Sequence, residues 1–222
     1  MVVRVAEQAS LVRNVNQIIV ATDDDEIVQV VKKAGFEARM TSPDIRSGTD
    51  RVAFVAKDLK SDIIVNLQGD EPVVPPAAIE AALAPVLNGS VRMGSVMTKF
   101  ASRAEYLEPS CVKVLTDKNM QAIYFSRHPI PYAVNAVSDE ALLNQEHVRK
   151  HLGIYVFERK FLQEFTQLTP SFMEQWESLE QLRALYHGVK IGMGFSEEGS
   201  QSVDTAEDLE KARAIFRRKF KQ

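Results

Sequence analysis

Cysteine is nearly absent from this chain: Cys111 stands alone among 222 residues. An intramolecular disulfide is therefore excluded, and a reducing compartment is expected. The thiol lies in the strand-like run Cys111-Val112-Lys113-Val114-Leu115, where a buried small hydrophobe is expected rather than a nucleophile. No uninterrupted apolar run approaches membrane-spanning length and no signal-peptide pattern opens the chain, so a soluble cytoplasmic protein without membrane insertion is expected. An excess of charge is lacking as well. The formal net charge is −3, which provides no electrostatic footprint for nucleic acid. The one basic concentration, Arg217-Arg218-Lys219 with Lys221, closes an expected terminal helix, where cations complement the dipole. Repeats, low-complexity tracts and Gly- or Pro-rich linkers are also missing, so the chain reads as a single domain large enough to bury a substantial core.

What is present is an alternation of strand-like and helix-like segments, which predicts a largely parallel, doubly wound α/β sheet. Residues 1–12 read as a helix without a cap, 17–21 as a strand and 24–34 as a helix stopped by Gly35. A strand over 36–40, a polar loop over 41–50, a helix over 51–59 and a strand ending at Gln68 follow. Pro75 and Pro76 then open a helix that runs to Leu87, a favoured place for proline. In the second half, strands are predicted over 93–100, 111–116, 122–126, 151–157 and 190–195. Helices are predicted over 162–165, 178–186 and 205–220, and residues 132–146 read as a polar loop or lid. The order is unusual at its start. Doubly wound domains begin with a strand whose following turn cradles phosphate, whereas this sequence opens in a helix with no glycine-rich loop before it.

Four motifs carry candidate chemistry. Gln68-Gly69-Asp70-Glu71-Pro72 ends a β-branched strand abruptly and displays two carboxylates just beyond its C-terminal end, where open α/β sheets bind ligands. An acidic loop there points to a hard metal ion acting on a phosphorylated substrate. Ser47-Gly48-Thr49-Asp50-Arg51 places hydroxyls and backbone N–H groups ahead of a helix, either as a plain cap or as a holder of polar ligand groups. Tyr124-Phe125-Ser126-Arg127 ends a strand in an arginine suited to bidentate binding of carboxylate or phosphate. In Ser202-Val203-Asp204-Thr205-Ala206-Glu207-Asp208-Leu209, helix capping accounts for Thr205 and Asp208 but not for Asp204, which is the better candidate metal ligand. His147 and His151 have the spacing of a helical zinc pair, but the run after them reads as strand. Asp23-Asp24-Asp25-Glu26 reads as the cap of the helix that follows it.

These motifs, together with Arg149-Lys150-His151-Leu152-Gly153-Ile154-Tyr155 and Leu179-Glu180-Gln181-Leu182-Arg183, resemble 3-deoxy-manno-octulosonate cytidylyltransferases in the same order and at similar spacing across nearly the whole chain. The resemblance implies a Rossmann-like nucleotidyltransferase fold, with a mostly parallel mixed sheet flanked by helices, in a homodimer. It implies transfer of CMP from CTP to the sugar acid Kdo with release of pyrophosphate, in the cytoplasm and for lipopolysaccharide synthesis. By the family pattern Asp70 and Asp204 are catalytic and hold Mg²⁺. Gln68, Arg127, His151, Tyr155, Glu180 and Gln181 form the sugar pocket, and Ser47, Gly48 and Thr49 lie on the nucleotide side. Strand alternation supports this by placing His151, Gly153 and Tyr155 on one face. The sequence departs from the family in having Ala206 where proline is usual. It also lacks the family's first strand and its Arg/Ser/Lys-rich nucleotide loop, so truncation relative to the family and little activity of this chain are expected. Two alternatives stay open: a non-catalytic sugar-binding or dimer-partner protein, and a cytidylyltransferase for a related acid such as amino-Kdo or a sialic acid.

Overall fold

The computed structural model describes residues 1–45, 47–135 and 137–219. The elements follow in the order α1 (Val2–Ser10), β1 (Ile19–Thr22), α2 (Asp25–Lys33), β2 (Glu37–Met40), α3 (Gly48–Ala56), β3 (Ile63–Asn66), α4 (Pro76–Leu87), β4 (Met93–Thr98) and α5 (Arg103–Leu107). They continue with β5 (Lys113–Thr116), β6 (Ala122–Ser126), α6 (Asp139–Leu143), β7 (Val148–Glu158), α7 (Arg159–Phe165), α8 (Phe172–Glu177), α9 (Gln181–Tyr186), β8 (Ile191–Phe195) and α10 (Ala206–Lys219). Phe220 and Lys221, the expected end of the last helix and of its basic run, lie outside the described residues.

Local chemistry sets several of these boundaries. The Asp24 carboxylate accepts from the backbone amides of Glu26 and Ile27, which starts α2, and Gly35 closes it at φ +86°. At this position a side chain would be strained. Helix α3 begins three residues earlier than the sequence pattern indicates, because the Ser47 hydroxyl accepts from the Asp50 amide at 3.0 Å. Three short helices, α5, α6 and α8, were not visible in the periodicity; each is started by a serine cap, Ser102, Ser138 and Ser171 respectively.

Two sheets form. Strands β1 and β2 pair in parallel, and a six-stranded mixed sheet runs β6-β5-β7-β4-β8, with β3 added on β7. Strands β3, β4 and β5 pair antiparallel to β7, and β8 pairs parallel to β4, so these four share one direction while β6 and β7 oppose it. The mixed sheet with mostly co-directional strands is therefore present. Its hydrogen-bonded neighbours are nonetheless mainly antiparallel, because the eleven-residue β7 lies between the others. That strand takes β4 along one edge. Its other edge takes β5 near the start of the strand and β3 near its end.

Alternation along β4 and β7 divides the core. Met93, Met97 and Phe157 pack with Phe125, Phe161, Phe165 and Leu182 on one side. Val96, Ile154 and Val156 pack with Val74, Ile79, Ala82 and Val86 of the α4 region on the other. Helix α4 lies close against β4 and β8: a Cβ at Gly94 would sit 2.5 Å from the Ala82 carbonyl oxygen, and one at Gly194 would overlap the Ala81 carbonyl. A β-bulge between Ser95 and Val96 leaves Gly153 and Ile154 of β7 without opposite numbers on β4.

Candidate active site

Strand β3 ends at Asn66, which is wholly buried and stands opposite Tyr155 of β7. From this pair a polar cluster spreads outward. The Asn66 side-chain amide donates to the Thr49 hydroxyl at 3.1 Å, and Gln68 Nε2 donates to Asn66 Oδ1 at 3.1 Å. The Thr49 hydroxyl in turn donates to the Glu180 carboxylate. Gly48 lets the backbone at the start of α3 approach the Gln68 side chain, since a Cβ there would stand 2.9 Å from Oε1. Arg183 lies 3.8 Å from Glu180 and forms a two-pronged pair with Glu174, at 2.9 and 2.6 Å. Burial pushes the Glu180 carboxyl up from its usual range, and Thr49, Arg183 and Ser47 pull it back.

The second part of the cluster is built on β7 and α9. The Tyr155 hydroxyl donates to Gln181 Oε1 at 2.9 Å, while Gln181 Nε2 is buried without a partner. His151 packs between Phe125 and Tyr155, with ring centroids at 4.9 and 5.5 Å. It is only 7 % exposed, and burial pulls its pKa down to about 3. The ring is therefore neutral near pH 7. Burial, followed by the charge of Glu180, pushes the Tyr155 phenol up.

The acidic part lies one loop away. The Val203 amide donates to the Asp70 carbonyl oxygen at 2.9 Å, which pins the segment carrying Asp204 against the loop after β3. Burial and then the Asp204 charge hold the Asp70 carboxyl above the usual carboxylate range, although its own backbone hydrogen bond opposes them. Glu71 is raised chiefly by burial and accepts from the Ser200 hydroxyl; Lys150, Asp70 and Asp204 act on its charge. Lys150 itself pairs with Glu105 at 2.5 Å.

The structure thus joins Gln68, Thr49, Glu180, Gln181, Tyr155 and His151 in one region, and Asp70 with Asp204 in a second that Gln68 borders in sequence. Ser47 and Thr49, expected on the nucleotide side, both bond toward Glu180. Arg127 stands apart from this network. Its Nε donates to the Glu177 carbonyl at 2.6 Å, and Nη1 and Nη2 reach the carbonyls of Pro109 and Ser178 at 3.4 and 3.3 Å. His147 bonds Thr116 from the edge of β7, and Asp24 caps α2. Sequence reasoning gave no role of their own to Asn66, Ser95, Lys150 and Arg183, although Lys150 and Arg183 stand inside motifs that carry the resemblance and Glu71 is the second carboxylate of the acidic loop. Asn66 carried a signal too, as a polar residue inside a β-branched run two places before the acidic motif.

Comparison with known proteins decides the family. The cytidylyltransferase family model matches residues 1–191. A 3-deoxy-manno-octulosonate cytidylyltransferase of Chloroherpeton thalassium is 40% identical over all of this chain and 89% of its own length. One of Geobacter sulfurreducens is 44% identical over 95% of this chain and 86% of its own. The chain belongs to the cytidylyltransferase family, among the 3-deoxy-manno-octulosonate cytidylyltransferases. A CMP:2-keto-3-deoxy-manno-octonic acid synthetase solved in complex with CTP superposes on this cytidylyltransferase with a TM-score of 0.89. That synthetase is 38% identical, over 99% of this chain and 88% of its own. The fold is the Rossmann-like nucleotidyltransferase fold, and the protein is an enzyme of the nucleotidyltransferase class. Cytidylyltransferases of this type generally use a divalent metal. Among the described residues no three His, Cys, Asp or Glu side chains converge on a metal position. Two carboxylates are what a cation shared with substrate phosphates and water requires, and a cation would relieve the Asp70–Asp204 repulsion. The residues fit such an ion. No described helix is long and apolar enough to cross a membrane.

Proposed function

We propose that this protein transfers CMP from CTP to 3-deoxy-D-manno-octulosonate, with Mg²⁺ as its metal, as a cytoplasmic homodimer supplying activated sugar for lipopolysaccharide synthesis. The observation that carries the reading is the Val203–Asp70 backbone bond. It brings two carboxylates together beside a polar pocket in a chain with relatives of that name.

Asp70 and Asp204 would hold the ion, which when bound lowers phosphate charge and favours departure of pyrophosphate. The remaining work is positioning. Glu180, steadied by Thr49 and Arg183, accepts from sugar hydroxyls, and Gln181 Nε2, without a protein partner, donates to one. Gln68, bonded to the Asn66 side chain and two residues from Asp70, links this pocket to the acidic loop, which would let a sugar hydroxyl reach the α-phosphorus. Arg127 is the partner of the sugar carboxylate. Its Nη bonds to backbone are the long ones, and these donors turn to the ligand while Nε stays on Glu177. Ser47, Gly48 and Thr49 border the nucleotide through the start of α3.

The test is incorporation of labelled CMP from CTP into candidate acceptors by the purified protein with MgCl₂. A product formed with 3-deoxy-manno-octulosonate, and lost without the metal, is expected. Efficient transfer to a sialic acid or to a sugar phosphate, with none to this acid, would overturn the assignment.

A further inference from the structure

Ser95 is wholly buried in β4, on the face that carries His151, and it was absent from every motif of the sequence. The β-bulge beside it turns the Ile154 carbonyl toward its hydroxyl. Ser95 Oγ donates to Ile154 O at 2.8 Å and lies 2.8 Å from His151 Nε2. A serine hydroxyl has one proton, and a carbonyl oxygen has none to give. The proton therefore lies toward Ile154, and Oγ can only accept from the histidine. Nε2 must then carry the ring proton. In a neutral imidazole this leaves a lone pair on Nδ1, and none of the described residues bonds that atom.

We propose that Ser95 is a positioning residue that holds His151 in the Nε2–H tautomer, leaving Nδ1 as a fixed acceptor for a hydroxyl of the sugar acid. The inference rests on the sugar-pocket reading given above. A parallel arrangement supports it. The Tyr155 hydroxyl takes Gln181 Oε1 and so orients that amide with Nε2 free, which makes a fixed donor. The pocket sets polarity at both side chains before any ligand arrives. Neutral aromatic packing around His151 keeps the ring from charging, so its tautomer and not its charge is the controlled variable.

The experiment is ¹⁵N-histidine NMR on the full chain, alone and titrated with 3-deoxy-manno-octulosonate, for the wild type and Ser95→Ala. In the wild type the His151 nitrogens should read as protonated Nε2 and bare Nδ1, and sugar should move the Nδ1 resonance. In Ser95→Ala both tautomers should appear, and sugar affinity should fall about tenfold. A wild-type ring protonated on Nδ1 would overturn the inference without use of any variant, as would an unchanged single tautomer in folded Ser95→Ala. The expected tautomers with no binding of the sugar at all would leave Ser95 as the lock but remove the pocket reading, and with it the acceptor role. Sugar binding without a shift at His151 would remove the acceptor role alone.

Discussion

The amide of Val203 and the carbonyl of Asp70, 2.9 Å apart, tie the last loop before α10 to the loop after β3. The two carboxylates of the site are thereby held together by backbone and not by any attraction between themselves. Their like charges repel, and burial already holds the Asp70 carboxyl up. Asp70→Asn and Asp204→Asn should therefore leave the melting temperature unchanged or slightly raised, while CMP transfer drops about a hundredfold or more. Calorimetry alongside a pyrophosphate-release assay reads both. A large loss of stability in either variant would show that the charge is structural.

Thr49 joins a buried and a half-buried group at once, accepting from Asn66 and donating to Glu180. Thr49→Val preserves shape and removes both bonds. With Asn66 wholly buried, the orphaned amide and carboxylate should cost about 1–3 kcal/mol, seen as a lower urea midpoint with an unchanged slope. Thr49→Ser should recover most of it. Equal stability of Thr49→Val and wild type would mean that water replaces the hydroxyl at no cost.

Much of this arrangement was legible in the sequence because it is local. The cap at Asp24, the stop at Gly35, the strand ending before Gln68 and the acidic turn all depend on residues a few positions apart. Short helices were missed where five or six residues cannot show a period, although Ser171 and Glu174 form a capping box that the spacing already spells out. The predicted strand starts at His151, three residues after β7 does. Arg149 and Lys150 look solvated until their partners appear, the Leu143 carbonyl six residues back for one and the distant Glu105 for the other. The surroundings of Arg127 were hidden in the same way. Its guanidinium faces carbonyls some fifty residues ahead, which no local pattern encodes.

His151 gives the fold a pH dependence of definite sign. Its folded pKa is about 3 against 6.5 for the free side chain, so between those values the unfolded chain holds a proton that the native chain does not. Stability from this group is full above pH 6.5 and is lost on acidification, by about 1.4 kcal/mol per pH unit, until the folded ring titrates near 3. Urea unfolding from pH 7 down to 4.5 should show that slope, and His151→Phe, which keeps the aromatic stack, should lower it by that amount. Parallel pH profiles for the two proteins would rule out a neutral buried ring.

Gly194 separates packing from backbone freedom. Its φ is not left-handed, so alanine there meets no backbone strain, and shedding glycine's freedom in the unfolded chain should stabilise by about 0.4–1 kcal/mol. Against that, the added methyl would overlap the Ala81 carbonyl in the middle of α4, a backbone group locked in the helix that cannot rotate away as a side chain could. Moving α4 off the sheet disturbs Ile79, Ala82 and Val86 together, and overpacking of this kind costs about 1–3 kcal/mol. The packing effect is the larger, so Gly194→Ala should destabilise. Gly153→Ala is the control, because no atom lies within 4 Å of its Cβ position and only the favourable effect remains. Chemical denaturation of the pair should give shifts of opposite sign. A stabilised Gly194→Ala would mean that α4 and β8 lie farther apart than the contact at Ala81 requires.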